Sequence, residues 1–193
     1  MPLSQENVLL FQTRQELREW LTIHSKTETV CWVPVSVKPQ PNMLRYLDVV
    51  EEALCFGWID STKKKIDHQV FQRLSPRRKK SNWTELNKER VRRLEKLGLM
   101  TDEGRACLPN LSDTSFEIHP DIVLAFNKEA PEVYENFLTF PKAYQRIRLD
   151  TIQSCLADKN VDLFNKRLEK FLENTKNKKM YGQWHDEGRL LND

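Results

Sequence analysis

The densest chemistry in the chain is the run Pro76-Arg77-Arg78-Lys79-Lys80-Ser81-Asn82-Trp83-Thr84. Arginine guanidinium forks match phosphate or carboxylate oxygens two at a time. Ser81 or Thr84 at the opening of a helix would add backbone N–H groups and the positive end of a helix dipole, which together cradle an anion. Trp58, Phe71 and Trp83 offer faces on which a base or sugar stacks. Asp60 directly follows Gly57-Trp58-Ile59 and sits among cations, which favour its ionised form. It would orient an arginine, bind a ligand donor or act as a base. These residues define an expected anion-accepting groove of Trp58, Asp60, Arg73, Arg77, Arg78, Ser81 and Trp83, with Asp60 orienting an arginine and the two indoles as walls. The same residues also fit a structural reading: a solvated basic loop above three core aromatics, with Asp60 paired to Arg73, Arg77 or Arg78.

Charge is concentrated where that groove is expected. The chain carries 31 Lys and Arg against 28 Asp and Glu, net +3. Between Gly57 and Lys80, eight cations face only Asp60 and Asp67, so the rest of the chain is net negative. Such a segment steers an anionic partner towards itself. Other chemistries lack their patterns. His24, His68, His119 and His185 belong to no HExxH or His-Asp-Ser arrangement, and no GxSxG occurs. Cys31, Cys55, Cys107 and Cys155 form no CxxC pair and no dense disulfide framework. No metal and no cofactor are expected. Glu51-Glu52 and Asp102-Glu103 are adjacent on expected helices and so point apart, as on a solvated face or beside a helix N-terminus.

The elements that must position these groups follow from periodicity. A chain of 193 residues has room for one large domain or two small ones without disulfide staples. Thr13 and Glu16 read as a capping box for a helix with Leu17, Trp20, Leu21 and His24 on one face. Thr29–Val37 reads as a strand, which Pro34 pushes towards a sheet edge. Tyr46–Phe56 reads as a helix stopped by Gly57. Trp58–Ile66 and Gln69–Leu74 form a hairpin turning at Asp67-His68, and a helix runs from about Glu85 to Leu97. Pro109–Pro120 is the expected internal boundary. Helices follow at Val123–Asn127, Glu132–Phe140, Lys142–Leu156 and from Leu163 to about Asn174, and Met180, Tyr181 and Trp184 punctuate a polar tail. This predicts an α+β protein: a small, mainly antiparallel sheet flanked by helices, then a helical C-terminal subdomain. The expected division is 1–108, 109–176 and a tail 177–193. No run of apolar residues is long enough for a membrane span. The opening Met1-Pro2-Leu3-Ser4-Gln5-Glu6-Asn7 lacks the basic and apolar regions of a secretory signal, so a cytoplasmic location is expected.

The block Glu52-Ala53-Leu54-Cys55-Phe56-Gly57-Trp58-Ile59-Asp60 resembles the bacteriocin-protection, YdeI/OmpD-associated family. The resemblance continues through Lys64-Lys65-Ile66-Asp67, Arg73-Leu74-Ser75-Pro76-Arg77 and Ser81-Asn82-Trp83-Thr84. It then takes in Asn87, Glu89-Arg90-Val91 and Gly98-Leu99-Met100-Thr101, spanning residues 10–108. The stretch from Phe116 to Asn174 is similar to that family's C-terminal domain. The resemblance implies a bacterial protein linked to tolerance of bacteriocins or other stress, and brings no reaction or catalytic residue. It marks Trp58, Asp60, Arg77, Ser81 and Trp83 as parts of a shared motif. Ser61 and Leu74 stand where members commonly have Gly and Phe.

The expected function is therefore a non-enzymatic binding or stress-protection protein that accepts an anionic small molecule or an acidic partner. Nucleic acid is a further candidate, although the sequence pI of 8.6 falls short of a strongly basic footprint. Two alternatives belong to other classes. One is an enzyme acting on a small phosphorylated or carboxylated substrate with Asp60 as acid or base. The other is a partner-docking module built on the C-terminal helices and Trp184.

Overall fold

Thr13 opens the first helix by local chemistry. Its hydroxyl accepts the Glu16 amide at 3.2 Å, and the Glu16 carboxylate accepts the Gln12 amide at 2.7 Å. The computed structural model describes residues 7–78, 81–112 and 115–191. Within them run α1 (Arg14–His24), β1 (Cys31–Ser36), β2 (Leu44–Arg45), α2 (Tyr46–Cys55), β3 (Trp58–Ile66), β4 (Gln69–Pro76), α3 (Glu85–Lys96) and α4 (Asp102–Arg105). The helices α5 (Pro120–Phe126), α6 (Pro131–Thr139), α7 (Lys142–Ala157) and α8 (Val161–Lys176) follow. A short 3₁₀ turn at Asp186–Gly188 comes last. The protein is α+β, with one four-stranded sheet, mostly antiparallel, among the described residues.

The sheet order is β2-β1-β4-β3. β1 therefore lies inside the sheet, not at its edge as Pro34 suggested. The two-residue β2 pairs parallel to β1 only at Val35 and Ser36, so that ladder begins after the proline and demands no N–H from it. The edge at the other side is β3, whose outer half is exposed and lysine-rich, a composition that blocks edge-to-edge pairing. The β3–β4 hairpin turns at Asp67, whose φ is +51°. Its register slips between Asp60 and Lys63, a bulge that sets Ser61 and Thr62 against Arg73.

Cross-strand partners share a face of a pleated sheet. One face carries Cys31, Val33, Gln72 and Leu74, all buried. The other carries Trp32, Ile59, Lys64, Phe71, Arg73 and Ser75. On it Ile59, Phe71, Arg73 and Ser75 are half-buried and Lys64 is exposed. Gly57 makes the turn from α2 into β3 at φ +70°, and an added Cβ there would sit 2.9 Å from both Cys107 Sγ and the Glu103 carbonyl oxygen.

Two compact units divide the chain: Met1–Asn82 with Val91–Pro109, and Trp83–Arg90 with Asn110–Asp193. One division falls at 109/110, beside the 108/109 break that the sequence suggests, and a second runs through α3, which the sequence does not suggest. The reason is chemical: Leu86 packs on the second unit's core, and the charged residues of this half-helix find their partners there. That core stacks Phe126, Phe137 and Phe171, with ring centroids 5.1 to 6.0 Å apart. Trp184, from the tail, is 4% exposed within the same core and meets Tyr144 edge-on at 5.3 Å.

Candidate functional site

Of the residues expected to form one groove, Arg77 and Ser81 bond each other and Asp60 acts on Arg77, whereas Trp58 lies in the core. Trp58 is 1% exposed; its indole N–H donates to the Ser25 carbonyl at 3.2 Å, and its ring meets Trp20 edge-on. It is a core side chain and offers no face to a ligand. Arg77 is also buried, at 7%. Its backbone N–H donates to the Gly57 carbonyl, and its Nη1 donates to Ser81 Oγ at 3.2 Å and the Asn82 carbonyl at 3.1 Å. Burial lowers the Arg77 pKa, while the fields of Asp60 and Cys107 oppose that shift. The guanidinium pins the loop that leaves β4, and Ser81 serves as its acceptor. Arg78 is exposed, and its carbonyl accepts the Ser81 amide. Lys79 and Lys80 lie outside the described residues. Trp83 is half-buried and belongs to the second unit.

Asp60 is half-buried and accepts the Tyr46 hydroxyl at 2.6 Å. The Lys63 ammonium stands 3.6 Å from the centre of the same tyrosine ring. The helix-end anion cradle expected at Thr84 is already filled. Asp150 accepts the Glu85 amide at 3.0 Å, and Thr84 Oγ1 accepts the Asn87 amide. The Glu85 and Asn87 N–H groups in the first turn of α3 are therefore spent on the protein's own oxygens.

Arg73 is arranged differently. Its Nη1 donates to Ser61 Oγ at 3.0 Å and to Ser75 Oγ at 3.1 Å, one serine from each strand of the hairpin. Among the described residues no carboxylate pairs with Arg73. Each serine oxygen accepts a hydrogen bond and keeps its own O–H to donate, and Nε and Nη2 of Arg73 hold further donors. Lys64, on the same face, places its ammonium 5.5 Å from the ring of Trp32, the cross-strand partner of Arg73. The cluster is rich in donors and cationic. Sequence alone pointed to Arg73 but missed its partners. Ser75 was within reach of strand alternation, two residues along β4; Ser61 comes to Arg73 only through the bulge.

A family model described as a domain of unknown function, DUF8412, matches residues 9–107, just over half of the chain. The chain belongs to this family. No curated protein and no solved structure matches it. The DUF8412 span holds the whole sheet, the Arg73 cluster and α1 to α4.

Inside that DUF8412 span lies an ion network that sequence assigned to a solvated helix face. Glu51 and Glu52, at 2% and 1% exposure, both converge on Arg14. Arg14 Nε donates to Glu52 at 2.5 Å and its Nη1 to Glu51 at 2.7 Å. Arg18 adds a bond to Glu52 at 2.9 Å, and Arg93 one to Glu51 at 3.0 Å. Burial acts to lower the Arg14 pKa, but Glu52 and Glu51 more than offset it and hold the group above its ordinary value. These acids are fully engaged and structural. Among the described residues no cluster of three metal-ligating side chains occurs, and no helix is long and apolar enough to cross a membrane.

Proposed function

We propose that the protein is a non-enzymatic anion-binding module whose site is the Arg73–Ser61–Ser75 cluster with Lys64, on the β3–β4 hairpin. The observation that carries this reading is the identity of the Arg73 partners, two hydroxyls rather than a carboxylate. Arg14, an arginine of the buried ion network, is neutralised by two acids. One held by hydroxyls keeps its charge and adds their O–H groups to its own donors, the complement of a phosphate or carboxylate. The resemblance of the Glu52–Asp60 block to the bacteriocin-protection family supports a protective role for that binding under stress.

Titration calorimetry of pyrophosphate against the full chain tests the reading. Wild type is expected to bind, and Arg73→Gln to lose about ten-fold or more in affinity, as for removal of a charge-assisted pair. Ser61→Ala and Ser75→Ala should each weaken binding by less, and Arg78→Gln should leave it close to wild type. Equal affinity in wild type and Arg73→Gln, or no heat in either, would rule the reading out.

A further inference from the structure

The second unit holds a groove of about 570 Å³ along α5 and α6, within the size range of small-molecule sites. Val123, Phe126, Pro131 and Tyr134 supply its apolar walls. The two rings meet edge-on, with centroids 5.3 Å apart and planes at 74°. Phe126 is held from behind by Phe137 and Phe171, so this wall is set by the core. Tyr134, by contrast, is 45% exposed and leaves ring surface to solvent.

The charge of the lining is of one sign. Glu129 and Glu135 border the groove, and among the described residues no Lys or Arg lines it. Glu129 is shared with Lys176, whose ammonium lies 2.9 Å away. Glu135 is exposed and forms no ion pair among the described residues. It directly follows Tyr134 in α6. An aromatic face carries negative potential, and a carboxylate lining the same groove adds to it.

We propose that this groove binds a small organic monocation: an aromatic or branched apolar body lies against Val123, Phe126 and Pro131, and its ammonium head is attracted by the Tyr134 ring and the Glu135 carboxylate, which line the same groove. Shape alone would admit a neutral hydrocarbon, but the Glu135 carboxylate on the rim favours a positive head over an anion. The site is independent of the Arg73 cluster, which lies in the other unit and has the opposite sign.

Ligand-observed NMR on the full chain, with benzyltrimethylammonium, benzyl alcohol and benzoate as matched probes, tests the proposal. The cation is expected to bind about ten-fold tighter than the alcohol, with benzoate weakest. Glu135→Gln, an exposed and isosteric change, should weaken the cation several-fold and leave benzyl alcohol unchanged. Tyr134→Leu should also weaken the cation. Equal binding of cation and alcohol, benzoate binding as well as the cation, unaltered cation affinity in both variants, or no probe binding at all would overturn it.

Discussion

Glu52→Gln removes one negative charge from the ion network and keeps the shape of the side chain. Glu52 is 1% exposed and receives bonds from both Arg14 and Arg18, at 2.5 and 2.9 Å. Breaking a buried pair by deleting one partner costs about 3–5 kcal/mol, because the remaining charge stays in a poor solvent. The arginine side chains are 30% and 25% exposed, and water screens part of the loss. The lower end, about 3 kcal/mol, is therefore expected. For a chain of this size each kcal/mol moves Tm by about 2–4 °C, so the drop should be about 6–12 °C. Circular-dichroism melts at pH 7 measure it. Glu103→Gln, which breaks the exposed Lys26–Glu103 pair, provides the contrast and should shift Tm far less. The double variant Arg14→Met with Glu52→Leu should recover part of the loss, because removing both ions leaves less charge uncompensated. A Glu52→Gln drop no larger than that of Glu103→Gln would refute the reasoning.

Three further outcomes follow from local geometry. Burial holds Cys31 and Cys55 thiols up to about 12, so neither should react with a disulfide reagent at pH 8 until denaturant is added; a fast reaction in the native state at either position would contradict their burial. Gly57→Ala should destabilise by about 2–4 kcal/mol in urea unfolding, since it combines a left-handed φ with a Cβ pressed on the Glu103 carbonyl; a loss under about 1 kcal/mol would show that the turn can relax. Burial raises the Asp150 pKa above 3.8, with the Glu85 amide acting against it. Between the unfolded and the raised folded value the native state holds the extra proton, so the stability of wild type relative to Asp150→Asn should increase as pH falls through the raised value. Urea melts of both proteins between pH 7 and pH 4 check the sign, and an opposite slope would count against it.

Local signals in the sequence were read correctly where they act through neighbours in the chain. Thr13 caps α1, Gly57 ends the α2 segment, and Asp67 turns the hairpin, because each depends only on backbone conformation nearby. Burial was harder to foresee. The chemical type of Trp58 and Arg77 points to a groove, yet residue type does not say which way a side chain turns when the chain doubles back. Glu51 and Glu52 look like surface acids until Arg14, 37 and 38 residues earlier, folds over them. The α3 N-terminus reads as an open anion site, but Asp150 reaches it from 65 residues away. The Arg73 cluster was half visible for a related reason. Its charge is local, whereas Ser61 joins it through a slip in strand register that no alternation pattern announces.

The split membership of α3 bears on how this molecule can be cut. Excising the family span at residue 107 would carry Glu89 and Arg90 away while leaving Arg146 and Asp186 behind. Arg90 would lose a two-pronged grip on Asp186 at 2.6 and 2.9 Å, and Leu86 would lose the aromatic cluster it rests on. A fragment drawn from the sequence match alone thus inherits half a helix designed for company it no longer has. A durable recombinant piece extends through Leu190, well beyond the border that sequence similarity draws.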